Sequence, residues 1–245
     1  MPPSPSPARP RHGLARALSK LGICSRTQAA DAIRAGRVAL NGRIVRDPEH
    51  PTDSVRDRIV LDGRDVRASE RIYLMLNKPR GYVTTASDER GRKTVYDLLG
   101  DGDLPWIAPV GRLDKASEGL LLLTNDSEWA ARITSPATKV DKIYHVHIDK
   151  TPNSTLIDAL VRGIDDGDAI LSAKSARELR RGEKNAWLEI VLDEGRNRQI
   201  RRLLEAHGIG VLRLVRVAIG PLALGALEKG RHRPLDALEV AAFAR

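Results

Sequence analysis

Residues 14–42 read LARALSKLGICSRTQAADAIRAGRVALNG. Leu14, Ala17, Leu18 and Leu21 recur at the spacing of one helix face, and Gly22 follows as a stop. Ser25 stands three residues before Gln28, the pattern in which an N-cap hydroxyl and a side-chain amide satisfy each other's backbone N–H groups. A second helix is predicted from Arg26 to Ala35, burying Ala29, Ala30 and Ile33, with Gly36 ending it. Val38, Leu40 and Ile44 flank Asn41-Gly42, a pair suited to a tight hairpin turn. Ile59 to Leu61 supplies a further strand. Arg16, Lys20, Arg26 and Arg34 interrupt the apolar positions, and Arg37 and Arg43 flank the hairpin. The block is a helix–helix–strand module with a basic face.

Working outward, residues 1–12 are rich in Pro and Arg with nothing to bury, and read as a disordered tail. The module covers 13–62, a polar linker 63–70, and a larger domain 71–241. The formal charge is +9. Nine basic residues and only Asp31 lie between Arg9 and Arg46, so +8 of that charge sits in one block. Such a block suits a polyanion, because neutralised phosphates release condensed counterions. Hydrophobic residues make up 41% of the 245, enough for a core, which excludes wholesale disorder. No apolar run approaches the ~20 residues of a membrane-spanning helix, so no membrane association is expected. The N-terminal stretch has no apolar segment and does not read as a secretory signal. Cys24 is alone, so no internal disulfide and no thiolate metal cage is available. A reducing compartment, the cytoplasm, is expected.

From Ile72 onward strands and helices mix without the regular alternation of a doubly wound sheet, which points to an α+β domain on a mixed or antiparallel sheet. Strands are predicted at Ile72–Leu76, Leu120–Thr124, Ile143–Ile148, Trp187–Leu192 and Val211–Val217, and helices at Val95–Leu99, Ser127–Ile133, Thr155–Val161 and Gln199–Ala206. Three segments could carry chemistry. The loop Gly111-Arg112-Leu113-Asp114-Lys115-Ala116-Ser117-Glu118-Gly119 precedes an apolar strand. Its carboxylate is either a nucleophile or base, or a solvated turn residue. From Arg196 to Arg216 there are six arginines and one acidic residue. They read as a phosphate site, as an inward arginine paired with a buried carboxylate, or as a basic surface helix. In Lys142-Ile143-Tyr144-His145-Val146-His147-Ile148, alternation puts Tyr144 on one face and both histidines on the other. Without a third ligand no metal site is expected. Asp165-Asp166-Gly167-Asp168 reads as a solvated turn, and no phosphate-binding glycine loop or dinucleotide fingerprint is present.

Leu14 to Gly42 resembles an S4-type RNA-binding module. YLMLNKPRGYVTT (73–85), VGRLDKASEGLLLLTND (110–126) and EGRNRQIRRLLEAHG (194–208) resemble the blocks of the ribosomal RNA pseudouridine synthases that carry an N-terminal S4 domain. The resemblance runs from about residue 14 to 240. It implies an α+β fold: a small S4-like module and a larger catalytic domain around a mixed, mainly antiparallel sheet. It implies that Asp114 is the catalytic aspartate, that Tyr144 stacks on the target base, that Arg201 pairs with the aspartate, and that Ile200 lines the pocket. Arg112 joins these as a substrate contact. Arg16, Lys20, Arg26, Arg37, Arg43, Arg196 and Arg198 are the expected RNA contacts.

The implied reaction isomerises uridine to pseudouridine: the C1′–N1 bond breaks and the base rejoins through C5. It requires no metal or other cofactor. Burial favours a neutral carboxyl, and an adjacent arginine opposes this. Whether the carboxylate adds to the ribose carbon or assists base loss stays open. A stacked uridine has to be flipped into the pocket. The expected partner is ribosomal RNA or a subunit assembly intermediate, with the large subunit leaned towards and a monomer expected. The competing reading is a non-catalytic S4-type RNA-binding or ribosome-assembly factor, which has no use for the GRLD block with Arg201 and Tyr144.

Overall fold

The computed structural model describes residues 11–86, 88–100, 104–167 and 170–243. The chain divides into two compact units. The first holds the described residues through Ile72, with short segments at 104–108 and Thr124–Ser127; the second holds the remainder.

In the first unit, helix α1 (Leu14–Lys20) and helix α2 (Arg26–Arg34) follow the apolar spacing. The Ser25 hydroxyl accepts from the Gln28 N–H, and the Gln28 side chain accepts from the Ser25 N–H. Helix α2 buries Ala29, Ala32 and Ile33; Ala30, expected inside, is only half-buried. Strands β1 (Val38–Leu40), β2 (Arg43–Ile44), β3 (Ile59–Leu61) and β4 (Arg64–Asp65) form a sheet in the order β2-β1-β3-β4. Asn41 (φ 51°) and Gly42 (φ 82°) close the β1–β2 hairpin, the left-handed pair that a two-residue turn of this hand requires.

Two expectations meet differences here. Residues 1–10 of the expected tail lie outside the described residues, but His12–Gly13 pairs with Pro51–Thr52. The stretch read as a linker is tied into the unit. Arg64–Asp65 is the edge strand β4, and the Ser69 N–H donates to the Leu21 carbonyl. Asn125 then grips the chain from both sides: its Oδ1 accepts from the Ile72 N–H and its Nδ2 donates to the Glu70 carbonyl. Polar composition marks a surface segment, but here its backbone groups find partners.

The second unit is built on a nine-stranded sheet. Its main strands are β5 (Tyr73–Lys78), β6 (Glu118–Thr124), β7 (Lys142–Ile148), β8 (Ser175–Arg181), β9 (Ala186–Leu192), β10 (Val211–Ile219) and β11 (His232–Pro234). They run in the order β8-β9-β7-β10-β6-β5-β11. The β8–β9, β9–β7, β7–β10 and β5–β11 pairs are antiparallel, and β10–β6 is parallel. The fold is α+β on a mixed, mainly antiparallel sheet. Every residue of β6 is buried, as expected for a continuous apolar run at the centre of a sheet. Helices α3 (Ser127–Thr134), α4 (Ser154–Arg162) and α5 (Gln199–Glu205) fall where predicted, whereas Val95–Leu98 is a 3₁₀ turn. Trp129 of α3 packs edge-on against Tyr73 and Phe243.

One glycine sets the centre of the sheet. Gly119 has φ 102°, and a Cβ there would lie 2.2 Å from the Arg216 carbonyl oxygen. Only a residue without a side chain lets β6 approach β10 this closely. Among the described residues no helix is long and apolar enough to cross a membrane.

Candidate active site

The loop between Val110 and Glu118 contains no helix or strand, yet its backbone is gripped at every residue from Leu113 to Ser117. The Thr84 hydroxyl donates to the Leu113 carbonyl at 2.7 Å. The Asp114 carbonyl accepts from the Ser117 N–H (2.9 Å) and from Lys78 Nζ (3.1 Å). The Lys115 carbonyl accepts from the Gly81 N–H at 2.8 Å. The Ala116 carbonyl accepts from Arg201 Nη2 at 3.2 Å. The Ser117 carbonyl accepts from Lys78 Nζ at 2.8 Å. Three of these donors, at 78, 81 and 84, come from the last residue of β5 and the segment that follows it. A loop held this way presents its carboxylate in a fixed place.

Asp114 lines a cleft of about 650 Å³. Tyr144 and Ile200 line it as well, and both are buried. Arg201 lines it too. The ion pair, however, falls to a different arginine. Arg198 Nη1 stands 3.9 Å from Asp114 Oδ2, while Arg201 spends Nη1 on the Val211 carbonyl and Nη2 on the Ala116 carbonyl. Arg198 is the N-cap of α5 and takes a left-handed backbone (φ 49°, ψ 29°). That conformation costs a non-glycine residue about 1–2 kcal/mol, a strain of the kind that clusters at functional sites. Arg201, one turn later, sits behind the loop. Burial pushes its guanidinium down from the usual value, as does neighbouring Arg198, while the Asp114 charge opposes the shift.

Gln199 is buried and holds the segment before α5 in shape. Its Nε2 donates to the Ser172 carbonyl and to Glu194 Oε1, and its Oε1 accepts from the Arg196 N–H. Arg196 itself pairs with Glu194 at 3.0 Å. Arg202 points away from the cleft and pairs with Asp166; Asp168 of the acidic turn lies outside the described residues. Arg112 is exposed at the cleft rim.

The histidines on the other face of β7 are engaged separately. His145 Nε2 lies 3.4 Å from Glu189, and His147 stacks on Trp187 with centroids 4.8 Å apart. In the first unit Arg16, Arg26 and Arg43 are exposed and make no ion pair among the described residues. Lys20 Nζ lies 3.3 Å from His12 Nε2. Arg37 is held by Asp62 through two hydrogen bonds, at 2.7 and 2.5 Å.

Three buried charged residues were missed in the sequence. Lys78 is fully buried, and its Nζ meets the Pro79, Asp114 and Ser117 carbonyls. Burial lowers its pKa to about 8, with Asp114 and Glu118 opposing and Arg216 adding to the fall. Glu118 is buried, which raises its pKa, but Arg213 and Lys229 hold it below the usual carboxylate value. Arg216 is buried in β10 and lines the cleft. A lysine ending an apolar strand, and an arginine on the buried phase of another, were the available signals.

Most of the chain matches a known kind of protein. Residues 72–206 match the family described as RNA pseudouridylate synthase, and residues 13–59 match the S4 domain. An uncharacterized RNA pseudouridine synthase of Aquifex aeolicus (strain VF5) is 38% identical over 226 residues, covering 91% of this chain and 90% of that one. The ribosomal large subunit pseudouridine synthase B of Bacillus subtilis (strain 168) is 35% identical over 230 residues, covering 93% of each. A solved pseudouridylate synthase structure aligns with TM-score 0.67 at 31% identity, covering 95% of this chain and 99% of that one. The chain therefore belongs to the RNA pseudouridine synthases that carry an N-terminal S4 domain.

Proposed function

We propose that this synthase isomerises one uridine of ribosomal RNA, in the large subunit, with Asp114 as the reacting carboxylate. The observation that carries the assignment of Asp114 is the run of five gripped carbonyls around it, which fixes this carboxylate in a cleft floored by Tyr144. The target base leaves its strand and stacks on Tyr144. Ile200 packs beside it. Arg198 lies across from the Asp114 carboxylate, and Arg201 positions the loop from behind. The large-subunit target is supported by the name of the Bacillus subtilis relative. The protein acts as a monomer in the cytoplasm, on rRNA or an assembly intermediate. Residues 13–62 and 71–241 act as RNA-binding and catalytic domains.

The test is a pseudouridine map of both ribosomal RNAs with and without the protein. One large-subunit site disappears in its absence and returns with the wild-type chain. A missing small-subunit site would reassign the target, and an unchanged map would remove the rRNA reading.

The exposed arginines of the first unit carry a second expectation. With Arg16, Arg26 and Arg43 all changed to Gln, the slope of log affinity against log salt should fall by about two to three, one per lost phosphate contact. Filter binding across a salt series measures it. An unaltered slope would mean these side chains face solvent in the complex.

A further inference from the structure

We propose that Arg216 is a substrate-contacting residue of this cleft, donating from its guanidinium to a carbonyl oxygen of the uracil stacked on Tyr144. This rests on the reading of Tyr144 as the base platform and extends it.

Arg216 is 5% exposed. Its Nε donates to the Leu120 carbonyl at 2.7 Å, which anchors the guanidinium in one orientation. Its Nη2 is buried and has no hydrogen-bond partner among the described residues. Leaving a buried charged donor unpaired is costly, and such an atom in a native structure calls for an explanation. Two facts say what the missing partner is. Arg216 lines the cleft that holds Asp114, and it is the direct cross-strand neighbour of Tyr144. Paired side chains on one sheet face stand about 5 Å apart, so a base lying on the tyrosine ring brings its edge to the guanidinium.

The chemistry fits a cation there. When C1′–N1 breaks, the bond's electron pair goes to the base, and the sugar carbon is left electron-poor beside the Asp114 carboxylate. The charge on the departing uracil spreads over N1 and its carbonyl oxygens. It is consumed when C5 bonds to C1′, after which C5 loses its proton and N1 gains one. No other reactant is needed. A fixed donor at one of those oxygens is worth most while the charge exists. Lys142 adds to this field. It lies on the Tyr144 face two residues away and lines the same cleft, and burial followed by Arg216 lowers its pKa.

The test uses the full chain and an rRNA transcript containing the mapped uridine. Arg216→Met should lower kcat by about 10²–10³-fold, the size seen when a donor to a developing oxyanion is removed. RNA affinity should stay within twofold of wild type. Arg216→Ala should regain part of its kcat, saturably, when guanidinium chloride is added at millimolar concentration. A role confined to holding β10 would instead lower the melting temperature along with activity and give no recovery. That pattern, or an Arg216→Met enzyme with wild-type kcat, overturns the proposal. Should the Met variant fail to fold, Arg216→Lys decides: a loss of about tenfold with normal melting supports the contact, and wild-type turnover refutes it. Tyr144→Leu, assayed in parallel, separates the two layers. Unchanged kcat there removes the base platform, whereas a loss there with none at Arg216 removes only this inference.

Discussion

Changing Asp114 to Asn lowers pseudouridine formation by at least about 10⁴-fold, the scale on which loss of a reacting group is felt, while RNA still binds within about threefold. The two side chains have the same shape, and the loop is held by its main chain, so the amide occupies the carboxylate's place. What vanishes is the charge. Asn can neither add to the ribose carbon nor stabilise it as positive charge develops. Folding hardly notices. The Arg198 contact is 3.9 Å long between partly exposed groups, with side chains 49% and 33% accessible. Such pairs contribute about 0–1 kcal/mol. Single-turnover assays on an rRNA fragment measure the rate, and filter binding measures the affinity. Turnover at a tenth of wild type would take the reaction away from Asp114.

Lys78→Met produces the second large effect, on stability and rate together. The ammonium gives its three N–H groups to the carbonyls of Pro79, Asp114 and Ser117. Met fills much of the same volume without a donor. The Asp114 carbonyl keeps the Ser117 N–H, and the others lose their lysine donor at about 1–3 kcal/mol each. Relief from burying a charge offsets part of this, so a net loss of about 2 kcal/mol is expected. For a chain of this size that lowers the melting temperature by about 4–8 °C. The loosened loop lowers kcat by about 10²-fold, the cost of displacing a reacting group by about 1 Å.

The pH dependence tests the same lysine. Its folded pKa of about 8 lies below the ordinary 10.5. Below pH 8 both folded and unfolded chains hold the proton, and the folded state bears the full cost of the buried charge. Between 8 and 10.5 the unfolded chain binds more protons, so this group's contribution to stability rises with pH, by about 3 kcal/mol in all. Activity moves the other way. A neutral amine has two N–H groups for three carbonyls, so turnover declines above pH 8. Met at 78 should abolish both trends. Urea melts and kcat profiles from pH 7 to 10.5 check them; identical slopes in the two proteins would place the titration elsewhere.

Much of the fold was legible because local and global preferences agree. The Ser25–Gln28 cap, the Asn41-Gly42 turn and the unbroken EGLLLLT run each have one good structural solution. Strand β8 was not legible. Its sequence, SARELRR, has no clean alternation, and its order comes from pairing with β9. It lies at the sheet edge, where charged side chains discourage pairing with other molecules. The site was legible in its residue types but not in its partners. Sequence spacing places Arg198 and Arg201 on nearby turns and does not say which reaches the carboxylate. That is decided by one left-handed residue at the start of α5. Lys78 and Arg216 carried only the signal of a charge at the end, or on the buried phase, of an apolar strand, which does not say that the side chain meets loop carbonyls or stands beside a tyrosine.

The grip on residues 113–117 is exerted through main-chain oxygens, which every amino acid offers alike. Lys115 is exposed and borders a second opening beside Asp114, and neither its side chain nor that of Ala116 takes part in the holding. Both positions are open to drift. Either side chain can be exchanged while the oxygens that hold the loop, and the carboxylate beside them, stay in register.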